Sequence, residues 1–88
     1  MGLDTVEFVL WTENEFGIEI PDNEASKLET VGSLCRYIEQ RLAEKPSSYS
    51  HGYEGIYERV ANQLETEYGV SKHLINEQAR FVKDLGLD

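Results

Sequence analysis

Leu3-Asp4-Thr5-Val6-Glu7-Phe8-Val9, continuing to Glu15-Phe16-Gly17-Ile18-Glu19-Ile20-Pro21-Asp22, is the stretch on which the fold turns. Its apolar residues Leu3, Val6 and Leu10, with Val9 and Phe16 beside them, recur at helical spacing, and Asp4, Glu7, Glu13 and Glu15 fall largely outside that stripe. The pattern predicts an amphipathic helix over 3–16 with the stripe buried. Gly17 then supplies the left-handed residue on which a helix commonly ends. Ile18 to Asp22 alternates apolar and polar residues, and Pro21 disfavours a helical residue before it, so an extended connection comes next.

Working outward, Asp22 is placed to cap a short helical turn over Asn23–Lys27, and Thr30 to cap a longer helix. That helix is predicted to run to Ala43, because Val31, Leu34, Cys35, Ile38 and Leu42 share one face. Residues 44–55 have no apolar period and contain Pro46, three serines and Gly52, so they read as a linker. A further helix is expected where Tyr57, Val60, Ala61, Leu64 and Tyr68 line up, closed by Gly69. Beyond Val70 the spacing loosens into a long loop with some helical turns. The resulting fold class is all-α: a small antiparallel four-helix bundle with three long helices and one short.

Composition narrows the function. The chain has 88 residues, enough for one small domain, and a net charge of −9 from 17 acidic and 8 basic side chains. A phosphate backbone is repelled by such a surface, which excludes nucleic acid as the expected partner and suits docking on basic protein patches. No apolar run approaches the roughly 18 residues of a membrane span, and a single cysteine makes no internal disulfide, so a cytoplasmic protein is expected.

The two parts of the sequence resemble one family in reversed order. Residues 3–22, together with 23–43, are similar to the second half of an acyl carrier protein. Residues 56–88, ending Phe81-Val82-Lys83-Asp84-Leu85-Gly86-Leu87-Asp88, resemble its first half. The resemblance implies a circularly permuted carrier domain of fatty-acid or polyketide biosynthesis, with halves 1–43 and 56–88 joined by the linker 44–55. Chain ends that lie close together make such a rearrangement feasible, and a flexible linker of this length reaches about 20 Å.

In that family an Asp-Ser-Leu motif opens the second helix, and its serine carries phosphopantetheine. Aligning Asp88 and Leu3 with the flanking residues puts Gly2 at the serine position, so no intact attachment site and no bound cofactor are expected. Ser26, Ser33, Ser47, Ser48, Ser50 and Ser71 read as caps, turns or surface residues. The resemblance further implies a non-enzymatic domain recognised through Asp88, Asp4, Val6, Glu7, Glu13 and Glu15. Its implied partners are synthases, acyltransferases and phosphopantetheinyl transferase with basic docking patches. Asn14 departs from the acidic residue usual there. The alternatives are an excerpt from tandem carrier repeats, or a protein-interaction or engineered scaffold module, as a monomer or a domain-swapped dimer.

Other residues read as structural. Cys35 lies on an apolar stripe and is expected to be a buried, inert thiol. His51 and His73 have no triad spacing. Trp11 reads as core or half-exposed aromatic, and Glu19, Asp22 and Glu24 lack the ordered spacing of a calcium loop. No metal is expected.

Overall fold

The computed structural model describes residues 3–44 and 52–88; the larger part of the expected linker, with Ser47, Ser48, Ser50 and His51, and the Gly2 position lie outside the described residues. The order is α1 (Leu3–Phe16), α2 (Asp22–Ala25), α3 (Val31–Glu44) and α4 (Tyr53–Tyr68), then a 3-10 turn at Lys72–Leu74. This is a small all-α bundle with three long helices and one short; among the described residues there is no strand, only an isolated antiparallel bridge between Thr30 and Arg80. No helix among the described residues is long and apolar enough to cross a membrane.

Helix ends obey local chemistry. Gly17 and Gly69 take φ of 66° and 65°, the left-handed conformation that closes α1 and α4. Thr30 caps α3 through a reciprocal pair: the Ser33 N–H donates to Thr30 Oγ1, and the Thr30 N–H donates to Ser33 Oγ, both at 3.1 Å. Two boundaries differ from the sequence reading. α2 spans Asp22–Ala25 with Pro21, not Asp22, at its cap and no side-chain cap bond, since proline's fixed φ already suits a helix start. α4 begins at Tyr53, inside the expected linker, because the Tyr53 and Ile56 side chains join the core and extend the stripe by a turn.

The core is built from Ile38 and Leu34 of α3, Ile56, Val60 and Leu64 of α4, and Phe8 and Phe16 of α1. Helix α1 corrects the expected packing. Leu3, Val6 and Leu10 are 70%, 39% and 53% exposed, whereas Phe8, Thr12 and Phe16 are buried. Two apolar faces compete on this helix, and the aromatic one wins. Phe8 packs with tilted rings against Trp11, Tyr68 and Phe81 at centroid distances of 5.4, 5.7 and 5.5 Å, and rings of this size dominate burial energetics. Thr12 joins that face at little cost, because its hydroxyl donates to the Phe8 carbonyl at 2.9 Å.

The C-terminal segment is pinned to the start of α3. The Val31 N–H donates to the Ala79 carbonyl (3.0 Å), the Gly32 N–H to the Glu77 carbonyl (2.9 Å), and the Phe81 N–H to the Glu29 carbonyl (3.0 Å). The first two bonds satisfy helix-terminal donors that side chains alone would leave orphaned. Gly32 is required by this approach, since a Cβ there would lie 2.9 Å from the Glu77 carbonyl oxygen.

Candidate docking face and carrier joint

The solvent face of α1 carries Leu3, Val6 and Leu10 in a row, with the half-exposed Asp4 and the exposed Glu7 alongside. Apolar side chains flanked by carboxylates thus face solvent on a helix whose other side is packed. The Tyr68 phenol of α4 stands close by; burial first, then the Glu7 and Asp4 carboxylates, push its pKa up.

Two other acidic residues singled out from the sequence are occupied within the fold. Glu13 Oε2 accepts the Ile20 N–H at 2.8 Å and so ties the end of α1 to the connection beyond it. Glu15 pairs with Arg59 of α4. Asp4, Val6 and Glu7 thus share the open face, and Glu13 and Glu15 hold the helix in place.

Asp88 meets α1 from the far end of the sequence. Its backbone carbonyl accepts the Thr5 N–H at 3.1 Å. If one residue stood between Asp88 and Leu3, Asp88 and Thr5 would be four positions apart, the spacing of an α-helical hydrogen bond. The Asp88 carbonyl therefore serves as an acceptor for an N–H in the first turn of α1.

Three relatives share close similarity with part of this chain. An acyl carrier protein of Lactobacillus acidophilus is 57% identical over 37 residues, 42% of this chain and 46% of the relative. One from Wolinella succinogenes is 60% identical over 38 residues, and one from Rickettsia massiliae 51% over 40. The chain is acyl-carrier-protein-like. It spans about half the length of the curated relatives it matches, between 46% and 50% of each. No family model and no solved structure matches it.

A cavity opens beside the contact between Asp88 and α1. It is partly open, measures about 340 Å³ and lies between α1, α2, α3 and the C-terminal segment, walled by Phe8, Leu28, Leu34, Phe81 and Leu87. Sequence reasoning missed it, together with the exposure of Leu3 and Leu10. The available signal was the row Phe8, Thr12, Phe16, an alternative helical face four residues apart that places aromatics inward.

The remaining candidates fall where structural roles put them. Cys35 is fully buried, and burial above all, with the Glu77 carboxylate adding, pushes its thiol up to about 12. A thiol so far from ionising is no nucleophile near neutrality. Trp11 is half-buried against Phe8 and Phe16, and His73 lies exposed in the 3-10 turn. Ser33 caps α3, Ser26 donates to the Asn23 carbonyl at 3.0 Å, and Ser71 precedes the 3-10 turn. Among the described residues no group of three or more metal-ligating side chains forms, Glu19, Asp22 and Glu24 included.

Proposed function

We infer that this chain is a non-enzymatic carrier-type domain with its two halves in reversed order, recognised by carrier-dependent enzymes of acyl-chain biosynthesis through the open face of α1. The observation that carries the reading is the Asp88–Thr5 bond, which supplies an acceptor to the first turn of α1 from the opposite end of the sequence. That register supports halves 1–43 and 56–88 as the two parts of one permuted domain.

Recognition rests on Asp4 and Glu7 for charge and on Val6, flanked by Leu3 and Leu10, for apolar contact. A basic patch on a synthase, an acyltransferase or a phosphopantetheinyl transferase complements this row. Charges at such a rim mainly set the encounter rate and its salt dependence, while the apolar residues hold the complex.

Acyl carrier proteins bear phosphopantetheine on the serine that opens their second helix. Gly2 takes that position under the alignment, and glycine has no hydroxyl to esterify. The domain thus keeps the docking face and lacks the arm. Incubation with coenzyme A and a phosphopantetheinyl transferase, read by intact mass, is expected to leave the chain unmodified and to load the Gly2→Ser variant. A stoichiometric gain on the unaltered chain overturns the missing site.

The docking claim is tested separately by titrating a carrier-binding synthase. Binding is expected to fall at least tenfold when Asp4 and Glu7 become lysines, with the loss shrinking at high salt. Absence of binding by the unaltered chain refutes the reading and leaves the bundle as a scaffold module.

A further inference from the structure

We propose that the groove between α4 and residues 75–78 is a docking site for a single arginine side chain of a partner protein. The site shares no residue with the open face of α1 and does not depend on docking there.

The groove is open, of about 670 Å³, and is lined by Tyr53, Glu54, Tyr57 and Glu58 of α4 together with Asn76, Glu77 and Gln78. Tyr53 and Tyr57 are four positions apart and so stand on one side of the helix. Both phenols are tied across the groove: Tyr53 donates to Glu77 Oε1 at 3.1 Å, and Tyr57 donates to the Ile75 carbonyl at 3.2 Å. The two half-buried rings are thus held in place before anything binds, which removes the cost of ordering them on association.

Three carboxylates, Glu54, Glu58 and Glu77, line the groove, and among the described residues no cation does. Arg36 approaches from α3, with Nη1 3.2 Å from where a Cβ on Gly32 would stand, close to Glu77. It enters none of the ion pairs among the described residues, and three carboxylates less one cation leave the corner two charges negative. The positive end of the α4 dipole, about half a charge, does not reverse this balance. Fixed aromatic rings beside carboxylates complement an organic cation. Guanidinium suits the place better than ammonium, because its plane stacks on a ring while its edge pairs with a carboxylate, and it gives up water more readily. A shallow, open groove receives a side chain presented on another surface, whereas small-molecule sites enclose their ligands. Past Tyr57 and Glu58 the groove continues into a hollow of about 450 Å³ along Ala61, Asn62 and Ile75, where Lys72 stands. That end accommodates the partner's neighbouring main chain and repels a second cation, so the site reads one arginine and not a basic run.

The N-acetyl amides of arginine, lysine and citrulline are titrated into the chain, with the side-chain amide NMR signals of Asn76 and Gln78 as readout. The expected result is a saturable shift with arginine, binding at least about twofold weaker for lysine, and none for citrulline, the uncharged analogue of the same shape. A tripeptide of glycine, arginine and glycine, capped at both ends, is expected to bind tighter than arginine alone and to move the Asn62 signal as well. Tyr57→Leu, which leaves the charge unchanged, is expected to weaken arginine about two- to fivefold, and Glu58→Gln about twofold. Glu39→Gln removes an exposed carboxylate of α3 outside the lining and is expected to change nothing. Circular dichroism checks the fold of Tyr57→Leu; if that variant does not fold, the Asn76 and Gln78 signals and the Glu58 variant decide. Shifts that spare Asn76 and Gln78, equal binding of arginine and citrulline, no gain from the flanking glycines, or the same loss in Glu39→Gln as in Glu58→Gln each overturns the proposal.

Discussion

Replacing Gly32 with alanine tests the contact on which the C-terminal segment depends. The added Cβ would sit 2.9 Å from the Glu77 carbonyl oxygen, 3.1 Å from Glu77 Cβ and 3.2 Å from Arg36 Nη1. The arginine tip can swing aside, but the carbonyl is backbone and accepts the Gly32 N–H at 2.9 Å, so relieving the clash stretches that bond. Forcing a methyl group into a packed site costs about 1–3 kcal/mol, and weakening a buried hydrogen bond adds about 1 kcal/mol. Against this, alanine improves helix propensity by at most about 1 kcal/mol, and less in the first turn of α3. The net expectation is a loss of about 1–3 kcal/mol. For a domain of this size that lowers Tm by about 5–20 °C, measured by circular dichroism and checked by the urea midpoint. The shift should propagate to Tyr53, whose hydroxyl donates to Glu77 Oε1 at 3.1 Å. A variant as stable as the parent, or more so, would show that propensity outweighs packing here and that the segment is not pinned as described.

The two faces of α1 should separate cleanly: Leu10→Asn is expected to change stability by less than about 0.5 kcal/mol, whereas Phe8→Ala costs about 3–5 kcal/mol, both read by urea unfolding. Arg59→Ala removes the pair with Glu15, whose side chains are 52% and 23% exposed, and is expected to cost no more than about 1 kcal/mol, a loss that salt masks in the parent. Cys35 should resist alkylation in the native state at pH 8 and react at once in urea. Its pKa is raised on folding, as is that of Tyr53, which burial and the Glu77 hydrogen bond push up to about 12. Below the unfolded values both groups are protonated in either state and the stability is complete. As pH rises past them the unfolded chain ionises first, so stability falls from about pH 9 towards 12, and a flat urea midpoint across that window would contradict the burial of both groups.

Helix positions were legible because they are written locally. The stripe Val31, Leu34, Cys35, Ile38 fixes α3, and Gly17 and Gly69 mark where α1 and α4 close. Burial on α1 was not, since Leu3, Val6, Leu10 and Phe8, Thr12, Phe16 both satisfy a helical period, and the choice is made by Tyr68 and Phe81, which arrive from distant sequence. The same limit applies to the site. Asp4, Val6 and Glu7 could be read as one face, but the capture of Glu15 by Arg59 and of the Ile20 N–H by Glu13 depends on how the chain packs. The cavity has no sequence signature, because a void is a property of packing.

The bond from Thr5 to Asp88 changes what kind of event the start of α1 is. A helix ordinarily nucleates from neighbouring residues, and the entropy of that step is local. Here the first turn is completed by a residue from the other end of the sequence, so its formation carries the closure entropy of nearly the whole chain. The amide of Thr5 is then protected from solvent exchange only while the C-terminal segment stays docked. Undocking of that segment should therefore raise exchange at Thr5, and the two events should share one opening free energy.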